Sequence, residues 1–112
     1  MRVQSAKFRT PRIEEKRRGV RLNSRVPIII EWQDCAETVL QSKAFTRTVG
    51  PYGCLIVLPQ ELSVKQSVRV LNTATGASNP GIVVWKGNER ADGWELGIEL
   101  TEPPMDFWGL DL

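Results

Sequence analysis

The seven residues 94–100, WELGIEL, alternate apolar and non-apolar side chains without a break. A period of two belongs to an extended strand, so Trp94, Leu96, Ile98 and Leu100 are expected on a buried face, with Glu95, Gly97 and Glu99 on a wet one. Val26, Ile28, Ile30 and Trp32 repeat the pattern earlier, with Pro27 near the strand start, where a missing ladder donor is tolerated. Residues 52–58 (YGCLIVL) and 81–85 (GIVVW) are denser apolar runs, suited to strands buried on both sides or crossing a closed barrel. Residues 66–71 (QSVRVL) add another strand, with Val68 and Val70 on one face. Turn residues at 72–76, at Asn79-Pro80-Gly81 and at 87–93 separate these runs at a spacing of about ten residues, which points to an all-β sandwich or barrel.

One segment has two readings. In residues 34–45 (DCAETVLQSKAF), Asp34 is placed as a helix N-cap with Glu37 three residues later, and Ala36, Val39, Leu40 and Ala44 fall at helical spacing. The same residues also read as a loop feeding a strand through Thr48, and periodicity does not choose between them. Near the end, Pro103-Pro104 precede MDFWGLDL, in which two adjacent exposed aromatics would be costly; Phe107 and Trp108 are therefore expected to pack back onto the body.

A chain of 112 residues holds one domain and at most an arm, and its 41% hydrophobic and 25% charged residues suit a globular domain rather than a disordered chain. No apolar run has membrane-spanning length, and the basic start MRVQSAKFRTPR lacks the apolar segment of a signal peptide, so a cytoplasmic location is expected. Two cysteines, Cys35 and Cys54, make neither a disulfide framework nor a zinc site, and there is no histidine to complete one. Without histidine the commonest general base and the Ser/His/Asp and Cys/His arrangements are missing, so the expectation is a non-enzyme without metal or cofactor. Cys54, within an apolar run, reads as an inert small hydrophobe.

The net charge of +2 conceals an asymmetry. Residues 1–25 carry nine Lys and Arg against two Glu; residues 26–112 carry six against eleven acidic residues. A basic arm thus precedes an acidic body, which suits an anionic partner, although a solvated terminus has the same composition. A nucleic-acid polymer is disfavoured, because the body is acidic and the aromatics that would stack on bases, Trp85 and Trp94, lie in apolar strands and read as core.

Within the arm, Arg17, Arg18, Arg21 and Arg25 stand directly ahead of Val26-Pro27-Ile28. An arginine fork donates two parallel hydrogen bonds to phosphate oxygens or to N7 and O6 of guanine, so two such residues beside a small barrel form a clamp for a guanine nucleotide. The bland alternative is that they keep an edge strand soluble. The order of parts, Arg17-Arg18-Gly19-Val20-Arg21, then Val26-Pro27-Ile28, Gly50-Pro51-Tyr52-Gly53-Cys54-Leu55 and Leu96-Gly97-Ile98-Glu99-Leu100, resembles the PilZ domain, a bacterial receptor module for cyclic di-GMP. The resemblance runs from about residue 14 to residue 108. It implies a small six-stranded antiparallel β-barrel over residues 17–112, behind a flexible, extended basic arm at 1–16, and favours the loop-to-strand reading of residues 34–48.

Carried over by motif, Arg17 and Arg21 hold phosphate and guanine, with Arg18 as an auxiliary cation and Arg25 as a solvated edge residue. The family's second motif, [Asp/Asn]-x-Ser-x-x-Gly, falls on Thr48, Gly50 and Gly53, where a hydroxyl replaces the carboxylate or amide and the serine is absent. The function implied is a cyclic di-GMP receptor that relays the signal to a protein partner. The alternative is a degenerate PilZ domain that has lost the nucleotide and serves as a protein-interaction module.

Overall fold

The alternation in the sequence is realised strand by strand. A computed structural model of the chain describes residues 21–110, so Arg17, Arg18 and the 1–16 arm lie outside the described residues. Six strands, β1 (Pro27–Gln33), β2 (Val39–Gly50), β3 (Gly53–Leu58), β4 (Ser67–Asn72), β5 (Ser78–Arg90) and β6 (Gly93–Leu100), form a closed antiparallel barrel in the order β1-β2-β3-β6-β5-β4. Because β1 pairs with both β2 and β4, the six strands close into a ring.

The inward positions carry the core: Ile28, Ile30 and Trp32 from β1, Ile56 and Leu58 from β3, Val68 and Val70 from β4, Val83 from β5, and Leu96, Ile98 and Leu100 from β6. Phe107 and Trp108 do pack back, in an edge-to-face pair with centroids 4.9 Å apart. They seat at the end of the barrel where β2 and β4 finish: Trp108 Nε1 donates to the Gly50 carbonyl at 2.8 Å, and the buried Asn72 amide donates to the Phe107 carbonyl at 3.0 Å.

Residues 34–38 form the β1–β2 connection, not a helix. The Asp34 carboxylate accepts the amides of Ala36 and Thr38, both at 2.9 Å, so it caps a turn as it would have capped a helix. Glu37 takes φ +64°, a left-handed conformation incompatible with a first helical turn. The turn expected at Asn79-Pro80-Gly81 is absent, and the one expected over 87–93 is confined to its C-terminal part. Asn79-Pro80-Gly81 and Gly87 are inside β5, which runs to Arg90 and turns through Ala91-Asp92. The Asn79 side chain supplies the polar punctuation: its Nδ2 donates to the carbonyls of Pro80 and Thr101 at 2.8 and 2.9 Å.

Candidate functional site

The segment ahead of β1 is laced onto β2. Leu22 and Val49 exchange backbone hydrogen bonds, both 2.9 Å, and the buried Thr46 accepts the Val26 amide at 2.8 Å while donating to the Ser24 carbonyl at 2.5 Å. This lacing carries Arg21 to the β2–β3 hairpin. There it lines a recess of about 490 Å³ together with Thr48, Gly50, Gly53, Trp85 and Glu99. The volume lies within the range of small-molecule sites. Four of the six residues expected from the motifs, Arg21, Thr48, Gly50 and Gly53, thus share one cavity; Arg17 and Arg18 are outside the described residues.

Two β-bulges set which side chains face it. Between Thr46 and Thr48 the β2–β3 register slips past Arg47, and between Val83 and Trp85 the β5–β6 register slips past Val84. Since inward positions recur every second residue, an extra residue moves the next side chain to the other face. Thr48 leaves the inward parity of Ala44 and Thr46, and Trp85 leaves that of Gly81 and Val83. The expectation that Trp85 is core is therefore corrected: it is 48% exposed. Trp94 is also outside the core, half-buried with the Lys86 ammonium 5.1 Å above its ring.

The Trp85 indole lies along two glycines. A Cβ on Gly97 would meet Trp85 Cβ at 3.2 Å, and one on Gly87 would meet its Cη2 at 2.4 Å. The ring is thereby bedded on bare backbone. Such an aromatic is a platform on which a flat base can stack. Neither Trp85 nor Glu99 was expected in the site from sequence, and the glycine pair Gly87 and Gly97 around Trp85 is the signal that points to a bedded ring.

Each remaining member has a definite state. Thr48 Oγ1 donates to Asn23 Oδ1 at 3.3 Å, and the Gly50 carbonyl is occupied by Trp108. Among the described residues, Arg21 and Glu99 are the only charged residues lining the recess, and their side chains have no hydrogen-bond or ion-pair partner there. Burial pushes the Cys54 thiol up to about 12, so it is protonated at neutral pH and not a nucleophile. Arg25 stays exposed, with its guanidinium 3.9 Å from the centroid of the Phe45 ring and away from the recess.

Gly53 has a packing reason as well as a motif position. A Cβ there would stand 2.2 Å from the Ile98 carbonyl oxygen across the β3–β6 ladder, so only glycine lets the strands close. Gly53→Ala is expected to cost about 1–3 kcal/mol of stability through forced separation of the strands. Urea denaturation measures it, and an unchanged midpoint would contradict this account. Comparison with protein-family models, with characterised proteins and with solved structures gave no match.

Proposed function

We propose that the chain is a PilZ-type receptor that binds cyclic di-GMP in the recess between Arg21 and Trp85 and relays its presence to a protein partner. The observation that carries this reading is the convergence of Arg21 with Thr48, Gly50 and Gly53 in one cavity, although at least 26 residues separate Arg21 from the others in sequence. A doubly charged dinucleotide needs a cation for its phosphates and a flat surface for its bases, and Arg21 and Trp85 supply one of each. Bare backbone at Gly50 and Gly53 lets a ligand approach the hairpin closely.

A second reading, a barrel that has lost the nucleotide and only engages a protein, is favoured by one observation. Thr48 is already bonded to Asn23, and Gly50 offers no side chain, so the second motif presents little to a guanine edge. Calorimetric titration of the chain with cyclic di-GMP decides between the two. Saturable heat supports the receptor, and none at high micromolar ligand overturns it. On the receptor reading, Trp85→Ala is expected to weaken binding by about 1–3 kcal/mol, roughly five- to 150-fold, for loss of one stacked base. Trp85→Phe should restore much of that loss, and equal weakening by both variants would count against stacking.

A further inference from the structure

We propose that Glu99 reads the Watson–Crick edge of a guanine in the recess and takes the place of the side-chain acceptors missing at Thr48 and Gly50. This inference rests on the cyclic di-GMP reading. The barrel register puts Gly50 opposite Gly53 and Gly53 opposite Glu99, so one cross-strand row runs over two bare positions to a carboxylate before continuing to Ile82. Residues in such a row project from the same face of the sheet. The acceptor absent from β2 is therefore available from β6, over a glycine floor that does not obstruct it.

Glu99 is exposed and, among the described residues, is the sole carboxylate lining the recess. Three other glutamates are engaged: Glu31 accepts from Gln41, Glu61 binds Lys86, and Glu95 pairs with Arg90 at 2.7 Å. Glu99 has no such partner among the described residues. Its strand neighbour on the outer face is Gly97, which pairs with Trp85, about 7 Å along the strand at two residues' rise. A base lying on the indole can thus turn its edge toward the carboxylate.

The chemistry is complementary. Guanine presents N1–H and N2–H side by side, and an ionised carboxylate has two oxygens to accept them. Adenine presents an acceptor at N1, which the carboxylate repels. Repulsion of the ligand's phosphates is limited by placement: β2 and β3 separate the Arg21 segment from β6, roughly 14 Å at about 4.8 Å per strand spacing. The two charges form no ion pair, so the cation serves the phosphates and the carboxylate serves the base.

The test compares cyclic di-GMP with cyclic di-IMP, which lacks the exocyclic N2 amine, on the full chain and on Glu99→Gln, by calorimetry. The unsubstituted chain is expected to prefer cyclic di-GMP by about tenfold or more, the worth of one hydrogen bond to a charged group. Glu99→Gln should bind cyclic di-GMP about ten- to a hundredfold more weakly and lose most of that preference. Trp85→Ala, which weakens stacking for both ligands, should keep the preference. If the chain binds cyclic di-GMP but Glu99→Gln keeps the same preference, or binds more tightly, the Glu99 assignment falls and the receptor reading stands. If the unsubstituted chain binds neither ligand, the receptor reading falls and Glu99 goes with it.

Discussion

Trp108→Ala is expected to lower the unfolding free energy by about 3–5 kcal/mol, the usual cost of truncating a buried large aromatic. The residue is 3% exposed and packs edge-to-face on Phe107, which is 1% exposed. Its loss opens a cavity at the barrel end and removes the indole N–H that satisfies the Gly50 carbonyl at 2.8 Å. Trp108→Phe separates the two contributions. It keeps most of the apolar contact and strands only the carbonyl, for an expected loss of about 1–3 kcal/mol. Urea denaturation of the three proteins measures both steps. A change below about 1 kcal/mol for Trp108→Ala would mean that the tail is not seated as described, since only solvent-facing substitutions are that mild. The same pair tests whether the tail supports the recess, because Gly50 lies in the cross-strand row that includes Glu99. Loss of ligand binding in Trp108→Phe with the fold intact would tie the two together.

Much of the barrel was legible because period two is a geometric necessity of a one-sided strand. WELGIEL appears as β6 with Leu96, Ile98 and Leu100 buried, and PIIIEW as β1 with Ile28, Ile30 and Trp32 buried. Residues 34–45 were ambiguous because Asp34 satisfies the first amides of a helix and the amides of a tight turn with the same carboxylate oxygen. Long-range pairing of Val39 to Phe45 with β1 chose the turn. The candidate site was legible only in part, for a different reason. Arg21 and Gly53 match the expected motif residues, and Thr48 and Gly50 depart from them but hold the motif's positions, so spacing along the sequence suffices to find all four. Trp85 and Glu99 depend on the barrel. Trp85 faces out only because Val84 is an extra residue on β5, and nothing in GIVVW announces a bulge. Glu99 looks like any wet position of an amphipathic strand until the register places it across from Gly53.

On the proposed receptor reading, Arg21→Ala is expected to weaken cyclic di-GMP binding by about 2–3 kcal/mol, roughly thirty- to 150-fold, because a charge-assisted, two-pronged contact to phosphate would be removed. Its side chain is exposed and without a partner among the described residues, so the substitution should leave stability within about 0.5 kcal/mol. That separation of binding from folding makes the result interpretable. Arg21→Lys keeps the charge but not the planar fork, and should recover only part of the affinity. Arg25→Ala is the matched control: four residues along, it stacks its guanidinium on Phe45 at 3.9 Å and does not line the recess. Its effect on affinity should stay within about threefold, the scale of a screened surface charge. Titrations at two salt concentrations add a second check, since loss of a phosphate contact should flatten the salt dependence for Arg21→Ala and leave it unchanged for Arg25→Ala. Equal losses from both variants would mean that the arginines act as a diffuse positive field. No loss from Arg21→Ala would remove the clamp from this recess, although the Leu22–Val49 bridge carries Arg21 to the hairpin.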